Sequence, residues 1–335
     1  MIKIAVDGMG GDHAPAEIVK GAVMAAREYG VQIMLVGPED RMRAELARHD
    51  SSGVNIEIVH AGEYLVEGEH PAFALRQKRN ASIVVATRLV KDHKADAVVS
   101  AGPTGGVVAS ALYLLGTIEG MSRPVLGGNF LGFAPKTVVM DLGGNVDCQP
   151  HHFLDFAVVG TVYARELLGI PNPTVALLSV GAEEGKGNSV VNESYPLLKE
   201  SGLNFIGNVE GHDLVLGKAN VVVCDGFVGN IVMKYTEALG KAIGGWLQSK
   251  VNGKLPEAEL RGLVSELVTA TNAAEAHGGG PLWAVNGVSV VVHGRADAAE
   301  MARAIGQARF AVERDLVGLL KKELASVRGK VHREG

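Results

Sequence analysis

The pattern of apolar and polar positions changes period again and again along this chain. Short, almost unbroken apolar runs stop at glycine-rich turns, and longer segments with helical spacing follow them. Residues 2–6 form the first run, which ends in Asp7-Gly8-Met9-Gly10-Gly11-Asp12-His13-Ala14. Pro15 then suits the opening of a helix to about Tyr29, since a first helical turn does not need its missing N–H. Residues 32–36 and 54–60 read as strands around a helix at 38–49. Arg76, Lys78 and Arg79 precede a helix over about 81–93, either as a solvated helix approach or facing a negatively charged ligand. Strand 97–100 runs into Ala101-Gly102-Pro103-Thr104-Gly105-Gly106 and a helix of small residues, and 129–135 is loop-like. Strand 137–142 leads to Gly143-Gly144-Asn145-Val146-Asp147 and a helix over about 150–168, and strand 174–180 leads to the turn 181–189 and another helix.

A further apolar run, Val221-Val222-Val223-Cys224, halts at the turn Asp225-Gly226-Phe227-Val228-Gly229-Asn230, after which helices at 231–251 and 256–274 form a hairpin. A last strand at 288–293 precedes Gly294 and one long helix over about 297–324, with a fraying basic tail from Arg328 to Arg333. This alternation predicts an α/β fold of three layers (αβα), with a largely parallel sheet and helices on both faces. No linker-like stretch interrupts it, so we expect one large domain over 1–335, with the hairpin protruding at about 231–274.

In open sheets of this class ligands bind beyond the carboxyl ends of the strands, where all these turns lie. A turn feeding a helix offers unpaired backbone N–H groups and the positive helix end, which suits an anion. Any one of the turns is also an ordinary connection; their recurrence points to a ligand. Two nucleotide signatures are missing. G-x-G-x-x-G counted from Gly8 needs a glycine where His13 stands. A Walker A loop needs four residues between its first glycine and Gly-Lys, followed by Ser or Thr, whereas three separate Gly181 from Gly185-Lys186 and Gly187 follows.

Composition narrows the class. Of 335 residues 47% are apolar, 44 are glycine and only 5% are aromatic, which fits closely packed strands and helices joined by tight turns. The net charge of −5, with both signs interspersed, argues against a nucleic-acid binder. Cys148 and Cys224 lack disulfide or zinc spacing and read as buried structural thiols, and no metal or other cofactor is expected. The first residues lack the basic start and apolar core of a signal peptide, and no long apolar run occurs, so a cytoplasmic protein is expected.

Five stretches together resemble one family. They are Val6-Asp7-Gly8-Met9-Gly10-Gly11-Asp12, Ala95-Asp96-Ala97-Val98-Val99-Ser100-Ala101-Gly102, Asn145-Val146-Asp147-Cys148, Glu184-Gly185-Lys186-Gly187-Asn188 and Cys224-Asp225-Gly226-Phe227-Val228-Gly229-Asn230. The resemblance is to the bacterial acyl-ACP:phosphate acyltransferases of phospholipid synthesis, the PlsX family. It implies a fold similar to phosphotransacetylases and isopropylmalate dehydrogenases, and a homodimer. It also implies transfer of a long-chain acyl group from acyl carrier protein to inorganic phosphate. Lys186 and Asn230 are carried over as catalytic. Asp7, Gly8, Gly10, Gly11, His13, Ser100, Gly102, Thr104, Gly105, Asn188, Asp225 and Gly226 are expected at the phosphate. Where the family usually has Asn after Ser-Ala-Gly, this chain has Pro103, which removes an amide donor and a backbone N–H.

The chemistry suits these residue types. A thioester is already activated and phosphate is a ready oxygen nucleophile, so the demand is a fixed cation and several N–H donors rather than a Ser-His-Asp relay. His13, His212, His277 and His293 are alternative proton carriers or structural histidines. Other readings are a CoA-dependent phosphate acyltransferase, a decarboxylating dehydrogenase using Asp141, Asp147 and Asp225 for a metal, and a non-enzymatic phosphate sensor. A long-chain acyl phosphate is poorly soluble, so peripheral membrane contact or a membrane-bound glycerol-phosphate acyltransferase is the expected recipient. The hairpin supplies candidate contacts: Ile243, Trp246, Leu247 and Val251 on its first helix, Leu255 beside Lys250 and Lys254 at its turn, and Leu260, Leu263, Val264 and Leu267 on its second.

Overall fold

The computed structural model describes residues 1–251, 253–272 and 278–331. Along the chain come β1 (Lys3–Asp7), α1 (Ala16–Tyr29), β2 (Gln32–Gly37), α2 (Glu39–Leu46), β3 (Ile56–His60), α3 (Pro71–Gln77), α4 (Ser82–Lys91), β4 (Ala97–Ser100) and α5 (Thr104–Leu114). Next are β5 (Val125–Gly128), β6 (Val138–Met140), α6 (Pro150–Glu166), β7 (Val175–Leu178), α7 (Ser189–Glu200), β8 (Phe205–Val209), α8 (Gly211–Leu216), β9 (Val221–Val223), α9 (Gly226–Val251) and α10 (Glu257–Thr271). The remaining elements are β10 (Gly280–Trp283), β11 (Val288–Val291), α11 (Ala298–Glu313) and α12 (Leu316–Val331). The chain divides into two compact units, Met1–Pro124 with His277–Leu319, and Val125–Ala276 with Leu320–Gly335.

In the first unit the strands run in the order β3-β2-β1-β4-β11-β10, all parallel except β10, which is antiparallel to β11. Alternate side chains of a strand face opposite ways, and here each face has its own core. Ile4, Val6, Ile33, Leu35 and Val99 meet Ile18 and Val19 of α1 and Met301 and Ile305 of α11. Ala5, Met34, Val36 and Val98 meet Ile83 and Val84 of α4 and Val107 of α5. Each large apolar side chain so buried contributes roughly 1.5 to 3 kcal/mol.

The second unit repeats the plan with β5-β6-β9-β7-β8, parallel except for β5 against β6. Val139, Ala176, Leu178, Val222 and Cys224 face Leu214 of α8 and Val228, Val232 and Met233 of α9. On the other side α6 comes so close that a Cβ on Gly160 would overlap Val221. Beyond the sheet α9 packs on α10, and two glycines make that approach possible. A side chain at Gly240 would overlap Thr271, and one at Gly244 would sit 3.0 Å from Val264. Both units are α/β with largely parallel sheets, as the alternation predicts.

Several boundaries differ from the sequence reading. Helix α9 begins at Gly226 rather than at 231, so Asn230 stands one turn inside a helix instead of in a loop. The helix expected over 297–324 is two, because Asp315 takes a left-handed φ of 47° and its carboxylate accepts the Gly318 N–H (3.2 Å) at the start of α12. Arg328 does not fray; it lies in α12 and binds buried Asp155 at 2.7 Å. Residues 71–77 form α3, and Lys78 there is held by Glu69 and by the Tyr64 carbonyl, leaving Arg76 and Arg79 of the expected cation group. Strands β5, β8 and β10 and helix α8 add to the elements read from the sequence. His277, Asn252, the end of the hairpin at 273–274 and the tail at 332–335 lie outside the described residues.

Candidate active site

Strands β6, β9 and β7 are parallel neighbours, so the turns that follow them emerge at one edge of the second unit's sheet. After β6, the buried Asp141 carboxylate accepts the N–H groups of Gly143 (3.0 Å) and Gly144 (2.9 Å) and the side-chain amide of Asn145 (2.7 Å). Burial pushes the Asp141 pKa up, while those donors pull it down. The turn is wound around an internal carboxylate, and its first two amides are engaged there rather than open to an outside anion.

After β9, Asp225 caps α9 by accepting the Val228 N–H (2.8 Å), and Gly226 N–H donates to the Asn145 carbonyl (2.7 Å). The start of α9 therefore seats on the Asp141 turn. Only glycines allow this: a Cβ at Gly226 would lie 2.8 Å from both Asn145 N and O, and one at Gly229 would overlap the Asp141 carbonyl. The half-buried Asn230 side chain lies against Gly143, and its Nδ2 reaches the Leu142 carbonyl at 3.4 Å, a long and weak contact.

After β7, Gly185 (φ 88°) and Gly187 (φ 117°) shape a turn that presents Lys186 to solvent. The lysine stem passes over Gly181, where a Cβ would be 3.0 Å from Lys186 Cγ. Among the described residues no carboxylate pairs with its ammonium; neighbouring Glu184 lies 3.6 Å from Lys199 instead. Asn188 is the N-cap of α7, its Oδ1 accepting the Val191 N–H (3.1 Å). Lys186 and Asn188 thus share one turn, and Asp225, Gly226 and Asn230 lie at the cap and first turn of α9, directly after the adjacent strand.

The other expected phosphate residues lie in the first unit, at the ends of neighbouring strands β1 and β4. Ser100 Oγ–H donates to Asp7 Oδ2 (2.7 Å), Gly102 N–H donates to Ser100 Oγ (3.0 Å), and Met9 N–H donates to Asp7 Oδ1 (3.3 Å). Burial raises the Asp7 pKa, and the hydroxyls of Ser82 and Ser100 oppose it. Gly8 N–H is bound to Val36 O (2.8 Å), and a Cβ on Gly10 would be 2.5 Å from Gly102 N. Asp7, Gly8, Gly10, Ser100 and Gly102 therefore lock two turns together. Gly11 has φ 100°, with a Cβ position 2.8 Å from Gly294 O, and His13 is exposed. Thr104 and Gly105 open α5, where Pro103 is an N-cap with no side-chain bond. Their N–H groups have no acceptor among the described residues.

His212 is exposed on α8 near Glu210 and Asp213, away from these turns in sequence and bonding. Among the described residues no three His, Cys, Asp or Glu side chains converge as metal ligands, and Asp141 and Asp225 serve turns and caps. The sequence reading missed the organising part played by Asp141 and Asn145. Its signal is an aspartate directly after an apolar run and ahead of Gly-Gly-Asn, an arrangement in which a side chain can bind the following amides.

A lysine ammonium, a side-chain amide and the N-termini of α7 and α9 at one sheet edge can hold a small anion and stabilise a second negative charge formed beside it. Comparison with known proteins agrees in kind. A family model described as "Fatty acid synthesis protein" matches residues 2–318. A phosphate acyltransferase of Pelotomaculum thermopropionicum is 46% identical over 338 residues, covering 98% of this chain and 97% of that protein. One from Desulforamulus reducens is also 46% identical, covering 98% and 99%. A phosphotransacetylase structure from Streptococcus pyogenes superposes with a TM-score of 0.64 at 17% identity, over 93% of this chain and 94% of that one, and so shares the fold. With nearly half its residues identical to phosphate acyltransferases over almost its whole length, the chain belongs to their family, the PlsX acyltransferases.

Proposed function

We propose that this acyltransferase takes a long-chain acyl group from acyl-ACP and gives it to inorganic phosphate, yielding acyl phosphate for phospholipid synthesis and free carrier protein. The observation that carries the reading is that Lys186, whose ammonium meets no carboxylate among the described residues, and Asn230 stand in the segments that follow the adjacent parallel strands β7 and β9. In the reaction a phosphate oxygen attacks the thioester carbon, the C–O bond forms, and a tetrahedral oxyanion develops. The C–S bond then breaks, and the departing thiolate takes up the proton that phosphate carried. Lys186 draws phosphate out of water and holds it. The Asn230 amide and the Phe227 N–H, which among the first N–H groups of α9 has no acceptor among the described residues, are donors for the oxyanion, and losing one such donor costs about 100- to 1,000-fold in rate.

Two further parts of the reading rest on the hairpin. Phe227, Ile231, Tyr235, Leu239, Ile243 and Trp246 recur every three or four residues along α9 and are all substantially exposed, a stripe that supports a homodimer in which this face meets its copy. Leu255 beside Lys250 and Lys254 supports peripheral contact with anionic lipid or with a membrane-bound acyltransferase that receives the product. No helix among the described residues is long and apolar enough to cross a membrane. The deciding experiment incubates the protein with palmitoyl-ACP and phosphate, with palmitoyl-CoA in parallel. Acyl phosphate formed faster from the carrier-protein substrate supports the proposal, and turnover of the CoA thioester alone replaces the donor.

A further inference from the structure

The turn that carries Lys186 is held from beneath by two side chains that the chemistry above does not use. Ser179, directly after β7, donates its hydroxyl to the Lys186 carbonyl at 3.0 Å. Asn208, on β8 and buried, donates its Nδ2 to the Glu183 carbonyl at 3.0 Å and reaches the Lys186 carbonyl at 3.4 Å. The turn closes on itself through the Lys186 N–H, which donates to Glu183 O at 3.2 Å. Both ends of the Glu183–Lys186 segment are therefore tied to the sheet, although the segment is exposed and its one side-chain ion pair among the described residues is the solvent-exposed Glu184–Lys199 contact at 3.6 Å.

The character of Asn208 sharpens this. Its Oδ1 is buried and accepts no hydrogen bond from the described residues, so the amide sits there at a cost that its donor side offsets. An apolar residue of the same size would avoid that cost and would also release the turn. Ser179 fills the space that a side chain at Gly187 would need, its Oγ lying 2.9 Å from that Cβ position, so the hydroxyl also sets the path of the chain just after the lysine. A flexible lysine on a loose loop would sweep a large volume. With its carbonyl pinned and its stem laid over Gly181, Lys186 leaves the sheet edge in one direction.

We propose that Ser179 and Asn208 are positioning residues for Lys186, acting through its backbone to aim the ammonium at bound phosphate. This rests on the reading of Lys186 given above. Misplacing a substrate-holding group by about an ångström costs on the order of 100-fold. Ser179→Ala combined with Asn208→Ala should therefore lower kcat/KM for phosphate by about 10- to 100-fold, leave KM for the acyl donor unchanged, and leave the thermal unfolding transition cooperative. Ser179→Thr, which keeps the hydroxyl, should restore most of the loss due to Ser179→Ala.

The decisive arm repeats the pair of substitutions in Lys186→Ala. Residues that act through the lysine have nothing left to aim, so no further loss is expected, whereas a merely structural role would lower activity by the same factor in both backgrounds. Equal losses in both backgrounds, or a phosphate kcat/KM at the wild-type level, overturn the proposal. Wild-type activity in Lys186→Ala alone overturns the underlying reading of Lys186 first, and is recognised separately. Should Asn208→Ala fail to fold, Asn208→Asp keeps the volume, replaces the donor by an acceptor, and carries the same comparison.

Discussion

In the proposed reaction Lys186 and Asn230 are the residues on which the chemistry turns, and they are placed by different means. Lys186 stands on an exposed turn shaped by Gly185 and Gly187, while Asn230 is on a helix seated on the Asp141 turn. Lys186→Ala and Asn230→Ala should each lower turnover by at least about 100-fold with the fold intact, measured as acyl phosphate formation alongside circular dichroism. The sequence made the lysine and asparagine visible because both stand in glycine-rich stretches that follow apolar runs, although Asn230 proves to lie in the first turn of a helix rather than in a loop. It could not show that the neighbouring carboxylates face inward, since nothing in a linear pattern tells a capping aspartate from one that faces a ligand. Asp7 is such a case: burial holds its pKa above the ordinary value. A carboxyl whose pKa is higher folded than unfolded contributes most below its unfolded value and loses that contribution as pH rises through its folded value. The stability difference between wild type and Asp7→Asn should thus favour wild type most in acid, shrink as pH rises through the folded pKa, and level off above it. Urea unfolding at a series of pH values checks the sign.

Among the elements, those with strong periodicity and clear punctuation were legible: β1, β4, β7 and β9 and the helices that follow them. The ones missed have weak signals for physical reasons. Strand β5 is Val-Leu-Gly-Gly, and β8 has Gly and Asn at its centre, so neither shows the apolar run that marks a buried strand. The break between α11 and α12 depends on a left-handed Asp315, a backbone choice the helical spacing on either side conceals. In the hairpin, helices α9 and α10 pack on each other, and the glycines at 240 and 244 reveal their purpose only when Thr271 and Val264 are seen against them. At its turn, burying one Leu side chain in lipid is worth roughly 1.5 to 3 kcal/mol, enough for weak, reversible attachment aided by Lys250 and Lys254. Leu255→Glu should reduce salt-sensitive co-sedimentation with anionic vesicles while activity in solution is kept. Unchanged binding would assign the turn to solvent or to another protein.

For the whole molecule, family membership and the α/β class were readable from scattered motifs, because each marks a strand end and together they cover the chain. The homodimer that the resemblance implies has no signal of its own in the sequence pattern, since an apolar stripe on a helix reads the same whether it packs on the core or on a second copy. Tyr235 is 67% exposed in the middle of the α9 stripe. A charge there should split a dimer, so Tyr235→Glu is expected to elute as a monomer in size-exclusion chromatography with light scattering, against a dimeric wild type. An equal mass for both would place the stripe elsewhere in the protein's life. The reaction itself is tested most directly by following release of free carrier protein from palmitoyl-ACP as phosphate is varied, with the acyl product identified by mass spectrometry. The account predicts release that saturates with phosphate and gives palmitoyl phosphate in equal amount. Slow release of palmitate at a rate indifferent to phosphate would contradict it.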